Sequence, residues 1–355
     1  MGREQCTKLK MPFRNEWLDA ARFLSICAVV LLHVSGVVLK WDPIGSLNWW
    51  AANVYESASR WCVPVFVMIS GALLLDPSKK ESVSEFYKKR LSKILIPTLF
   101  WSCFFLLYGL QFGLAPGSPE FGKVPLTTEK LLQKLLMGEP HYHMWFLYMI
   151  VGLYFFTPVF RIVVSNSTRS QLVIFTSAAL VLVGISFLFG RYAHNPANSF
   201  LASFVYYIPL YFLGYLISTT TKTFSYVFLI SSIAIGMVVT AVGYYVLSMS
   251  FGVENGLYFY GYLSFNVMTM ACFVLFLFKK VNFRLFGKFF SKAGPLVLGV
   301  YLVHTIFLEA ICAWGLGPLS RNRIFSIPLV TMVVLSLSFF TAFLMLRIRI
   351  LRRLI

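Results

Sequence analysis

Arg22, His33, Arg60, His304 and Glu309 each fall inside a run of apolar residues long enough to cross a bilayer. A charged side chain at the centre of a membrane helix costs about 2.5–3.5 kcal/mol on insertion scales, so each of these residues needs a compensating role. Arg22 and His33 are eleven residues apart. At about 100° per residue that is three turns plus roughly 20°, so in a helix both project from one face, stacked about 16 Å apart in depth. Arg22 lies about one turn inside the boundary of its run, where a guanidinium can also snorkel to the headgroups. A guanidinium suits phosphate recognition, and an imidazole, with an ordinary pKa of about 6.5, suits proton transfer near neutrality.

His304 lies about nine residues into its run, roughly 13 Å deep, and Tyr301 precedes it by three residues on the same helical face. Arg60 stands four residues before Pro64 in RWCVPVFVMISG, with Glu56 one turn earlier as a ready ion-pair partner. Pro64 can kink that helix and free a carbonyl, which a membrane helix tolerates only beside a partner or a cavity. His141 and His143 occur in HYHMWFLYM, just ahead of another apolar run. Two histidines at that spacing could suggest a metal, but no carboxylate or cysteine cluster accompanies them, and no metal site is expected. Cys6, Cys27, Cys62, Cys103, Cys272 and Cys312 show no paired spacing and read as small buried hydrophobes.

The elements that must hold these residues are membrane helices. The chain has 355 residues, 58% of them hydrophobic and only 12% charged, which would leave a soluble globule almost no hydrated surface. Apolar runs of roughly 18 residues or more recur at 18–39, 49–75, 94–114, 144–160, 171–190, 201–218, 224–249, 257–278, 295–316 and 325–346. In lipid such runs must satisfy their own backbone groups as helices, and the alternation of a membrane barrel is absent. The net charge of +18 does not point to nucleic acid, because the basic residues sit in alternate loops. With the N-terminus inside, 22 of the 31 Lys and Arg fall on the inner side and seven on the outer. The expectation is an all-α polytopic membrane protein, a bundle of about ten transmembrane helices with both termini cytoplasmic. A basic segment 1–17 precedes a transmembrane domain 18–346, and a basic tail 347–355 follows it. Trp41, Trp49 and Trp50 fit an aromatic belt at the outer boundary. The first run is too long for a signal peptide and lacks a small-residue cleavage site, so it reads as an anchor. The longest loop is expected to run outward from about 115 to 143. On the inner side the segment Asp76 to Lys93 carries six basic residues and offers a resting place for an anionic partner.

The spacing of Arg22 and His33 resembles the defining motif of the integral-membrane acyltransferases of acyltransferase-3 type. LDAAR at 18–22, RWCVPVFVMISG at 60–71, RLSKILIP at 90–97, HMWFLYMIVGLYFFTP at 143–158, YIPLYFLGY at 207–215 and VYLVH at 300–304 agree with that family in order and position. The family often has aromatic pairs before its Ser-Gly; here the string is Val65, Phe66, Val67, Met68, Ile69, with the Ser70–Gly71 turn kept. The length without an added extracytoplasmic domain is most similar to the inner-membrane O-acetyltransferases of surface polysaccharide, such as that for enterobacterial common antigen.

That resemblance implies an enzyme of the bacterial inner membrane, with no bound cofactor. It would move an acyl group, acetyl in the first place, from cytosolic acyl-CoA to a hydroxyl of a lipid-linked or exported glycan. Acyl transfer to an alcohol needs a base for the hydroxyl proton, and His33 is expected in that role or as a transient acyl acceptor. Arg22 is expected to meet the phosphates or pantetheine arm of CoA, with Arg90 and Lys93 at the nucleotide end. Arg60, His143, Trp145, Tyr301 and His304 would line the acceptor side. Two other classes use similar parts. A secondary transporter of an anionic or sugar-linked substrate also employs buried Arg and His, although no matched pair of broken helices or internal repeat is visible. A lipid-binding scaffold would use only the basic loops.

Overall fold

The computed structural model describes residues 16–79, 81–112, 127–192, 200–319 and 322–355, and among these it contains helices and no strand. Nine stretches are long and apolar enough to cross a membrane, and Ser203–Thr219 is a shorter apolar helix between the fifth and sixth of them. The helices are α1 (Glu16–Trp41), α2 (Leu47–Ser59), α3 (Cys62–Leu74), the short α4 (Val83–Phe86), α5 (Ser92–Phe112), α6 (Thr128–Leu136), α7 (Trp145–Asn166) and α8 (Arg169–Tyr192). Then follow α9 (Phe200–Thr219), α10 (Tyr226–Phe251), the short α11 (Val253–Gly256), α12 (Phe265–Lys280), α13 (Gly287–Ala293), α14 (Val297–Ala313) and α15 (Arg323–Arg347). The bundle of about ten crossings expected from hydropathy is therefore present. The first residues of α1 and α13 meet at one end of it, where Glu16 lies beside Gly287.

The helix carrying Arg22 and His33 is the inner post of the bundle. α1 packs against α2, α3, α12, α13, α14 and α15, burying Ile26, Val29, Val30, Val34 and Val38. Its polar side chains therefore meet protein instead of lipid. α8 and α10, by contrast, are mostly exposed and apolar around their circumference, as lipid-facing helices must be.

Three features depart from the sequence reading for clear physical reasons. The second crossing is broken between α2 and α3, with Arg60 and Trp61 at the break, and Pro64 falls in the first turn of α3. A proline there costs little, since it lacks an N–H that would have few helical partners. Ser70 and Gly71 do not form a turn but continue α3. Gly71 is needed there for closeness: a Cβ added to it would lie 1.8 Å from the Tyr211 carbonyl oxygen on α9, and one on Gly214 of α9 would lie 1.8 Å from that of Met68. The two helices are joined backbone to backbone, as small residues permit in membranes. The expected outer loop is also partly helical. Its residues 115–126 lie outside those described, as do 1–15 of the N-terminal segment, but Thr128–Leu136 forms α6.

Replacing Gly71 by Ala should therefore destabilise the protein by on the order of 3 kcal/mol, since backbone cannot move aside as a side chain can. Gly190→Ala, where nothing lies within 4 Å, should leave stability unchanged. Thermal unfolding of the two purified variants in one detergent distinguishes them.

Candidate active site

The chain reaches the site through a well-defined turn. α6 ends at Leu136 and is closed by Gly138, whose φ of 69° is the left-handed conformation favoured by glycine. Glu139 N–H donates to the Lys134 carbonyl (2.9 Å) and Gly138 N–H to that of Leu135 (3.0 Å), which satisfies the last carbonyls of the helix. Pro140 follows, and the next residues bend inward, so that His141 and His143 are buried at 7% and 2% exposure despite belonging to a connecting segment. The sequence reading had left this pair without a partner.

These two histidines join His33 from α1 and His304 from α14, and four of the chain's five histidines thus form one cluster. The ring centroids of His33 and His304 are 5.2 Å apart, those of His143 and His304 5.4 Å, and those of His141 and His143 4.9 Å. Tyr142 lies 5.2 Å from His33, and Phe105 stacks on His141 at 4.5 Å. His33 is eight residues from the end of α1, and His304 nine from the end of α14, so both lie about 12–14 Å inside the same face. Tyr301 donates its phenol hydrogen to the His143 carbonyl, fastening the turn to α14. His304 Nδ1 is 2.7 Å from the Tyr301 carbonyl oxygen, which can only accept. The hydrogen therefore sits on Nδ1, leaving a bare Nε2 that is buried without a hydrogen-bond partner.

A cavity is lined by His33 and His143 together with Phe66, Trp145, Phe146, Tyr262, Tyr301 and the free thiol of Cys62. Trp145 stacks on Tyr262 at 5.7 Å. Of the expected acceptor-side residues, His143, Trp145 and Tyr301 line this cavity, while His304 stands behind His33 and His143. Arg60 stands outside it. Its guanidinium lies over the rings of Tyr260 (4.4 Å) and Tyr262 (5.5 Å), donates to the Tyr260 carbonyl (3.0 Å) and pairs with Glu56. Glu56 in turn accepts from Ser35 at 2.6 Å. Asn53, which accepts from the Tyr260 phenol, ties this network to α10 through the Ala241 carbonyl. Arg60 thus braces one wall of the cavity through Tyr262.

Arg22, Arg90 and Lys93 are not brought to the cavity. Arg22 is bonded to Asp19 at 3.3 Å and remains about one-third exposed. Arg90 and Lys93 are exposed at the basic face, Arg90 on a π-helical turn, Tyr87–Leu91, and Lys93 in the first turn of α5. Beside them Arg161 donates to Glu81 (2.9 Å) and to the Leu74 carbonyl (2.6 Å). Burial, followed by the guanidinium groups of Arg90 and Arg161, pulls the Lys79 ammonium below its ordinary pKa. Partial burial would raise Glu81, but the hydrogen bond and charge of Arg161, and the charges of Arg90 and Lys89, outweigh it and hold the carboxyl below its usual range. The cationic crowding that Lys79 registers is the condition in which an anion is welcome.

The site thus combines imidazoles lining a cavity, largely aromatic walls and, apart from the cavity, a dense basic surface. Sequence reasoning missed the wall residues Phe66, Phe146 and Tyr262, which look like ordinary membrane aromatics. It also left Glu309 without a role. Its one available signal was a carboxylate inside an apolar run, and its partner His141 is 168 positions away. A family model described as an acyltransferase domain matches residues 15–347. No curated protein and no solved structure matches the chain.

The Glu56–Arg60 pair is buried enough to carry a prediction. Glu56→Gln leaves a buried guanidinium without its counter-charge and should destabilise the protein by about 3–5 kcal/mol, most of which Arg60→Met in the same chain should restore. Unfolding midpoints of the single and double variants measure it.

Proposed function

The chain belongs to the acyltransferase-domain family and is a multi-pass membrane enzyme that transfers acyl groups. From that premise we propose that it is an O-acyltransferase, in the first place an O-acetyltransferase. Its donor is cytosolic acyl-CoA and its acceptor a hydroxyl of a lipid-linked or exported glycan. The observation that carries this reading is the cavity lined by His33 and His143, with the exposed basic cluster of Arg90 and Lys93 lying apart from it.

In this reaction the acceptor oxygen attacks the thioester carbon, the C–S bond breaks and thiolate leaves. His33 lines the cavity and takes the hydroxyl proton as general base. The walls of Phe66, Phe146 and Tyr262 surround a small apolar acyl group and keep water from competing with the hydroxyl. Arg90, Lys93 and Lys79 meet the phosphates of CoA on the basic face, and Arg22, between that face and His33, guides the pantetheine arm. A thioester carbon must then travel about 16 Å along α1, from the depth of Arg22 to that of His33. The extended pantetheine chain suits that route. The enzyme resides in the bacterial inner membrane, where donor and exported acceptor lie on opposite sides.

His33→Ala should lower acyl transfer by about 10²–10⁴-fold, the usual contribution of a positioned base, while the protein still accumulates in the membrane. Arg90→Ala combined with Lys93→Ala should weaken CoA binding and spare the cavity. Transfer of labelled acyl groups to surface glycan and CoA binding by the purified variants check both. Full activity of His33→Ala would remove the assignment.

A further inference from the structure

Behind the cavity lies a carboxylate that the reaction above does not use. Glu309 is 3% exposed, four residues from the end of α14, and its Oε1 lies 3.0 Å from His141 Nε2, within ion-pair distance although without the geometry of a hydrogen bond. Tyr108 and Tyr142 face the same carboxylate. A carboxylate oxygen this close favours a hydrogen on the nitrogen that faces it, so in a neutral His141 the hydrogen belongs on Nε2 and Nδ1 is bare. That Nδ1 lies 2.8 Å from His143 Nδ1. Two bare nitrogens at this distance would repel, so His143 must supply the hydrogen from its own Nδ1. A neutral His143 is then left with a bare Nε2. This nitrogen is buried, has no hydrogen-bond partner and belongs to a side chain that lines the cavity together with His33. A buried polar atom left unpartnered calls for an explanation, and a substrate group is one.

We propose that Glu309 and His141 are positioning residues that lock His143 as its Nδ1–H tautomer, so that His143 Nε2 is a second acceptor for the hydrogen of the substrate hydroxyl. This inference rests on the acyltransferase reading for the identity of that hydroxyl. The proton balance is unchanged: the C–O bond forms, the C–S bond breaks, and the proton taken by imidazole is returned to the departing thiolate. What Glu309 adds is directional. Its carboxyl oxygen favours hydrogen on the near nitrogen of His141, and that preference passes through two rings to the cavity.

Two measurements test it. In protein labelled with ¹⁵N-histidine, nitrogen chemical shifts assigned by comparison with His143→Ala should show His143 protonated at Nδ1 and bare at Nε2, and Glu309→Gln should abolish that preference. A wild-type His143 carrying its hydrogen on Nε2 overturns the proposal. In the transfer assay, Glu309→Gln should lower kcat about 100-fold with KM for the acyl donor unchanged, and should cost nothing further when added to His143→Ala, because it acts only through that ring. A loss that adds in full to that of His143→Ala also overturns it. Should Glu309→Gln fail to accumulate, His141→Phe keeps a ring stacked on Phe105 while removing both nitrogens, and should show the same loss. The tautomer is read without any acyl donor. A wrong tautomer alongside an inactive His33→Ala therefore removes only this inference, whereas an active His33→Ala removes the function assigned to His33.

Discussion

Every costly polar group in this molecule is made tolerable by the same circumstance, the enclosure of α1 by six other helices. A histidine and a carboxylate within membrane helices would each be expelled or neutralised if they faced lipid. Inside the bundle they face one another. Ser35 meets Glu56, Glu56 meets Arg60, His141 meets Glu309, and the carbonyl of Tyr301 meets His304. The backbone contact of Gly71 and Gly214 between α3 and α9 is part of that enclosure, since α3 also packs on α1 and contributes Phe66 to the cavity.

Once enclosed, α1 works as a ruler. Arg22 and His33 share a face and differ in depth, and the structure supplies different surroundings at the two levels. Near Arg22 is Asp19, with partial exposure to solvent; near His33 are three other imidazoles, aromatic rings and a cavity. The proposed chemistry follows that separation. Charge recognition belongs where water and phosphate can reach, and proton transfer belongs where water is excluded.

The architecture was legible in the sequence because membrane crossing is a constraint on single segments: length and apolarity alone mark each helix. The face shared by Arg22 and His33 was legible for the same reason, being a property of one helix. What was not legible lies between helices. His141 and His143 looked like a polar pair at the end of a loop, because only the Gly138 turn and the Tyr301 bond send them inward. Glu309 and His141 meet only when α14 packs beside that turn, and nothing in either local sequence encodes the meeting. Arg60 was assigned to the acceptor side from its position in a motif, whereas its contacts hold it one layer back, behind Tyr262. Gly71 read as a turn because backbone closeness to α9 has no signature in the string Ser70–Gly71.

The central claim is that an acyl group enters from the basic face and is transferred in a cavity near the opposite one. Vesicles containing the protein in a single known orientation, with the glycan acceptor accessible only on the side opposite the basic face, test it directly. Labelled acyl-CoA supplied to the basic face should label the acceptor, and the same donor supplied only to the other face should not. Equal labelling from either face would contradict the account.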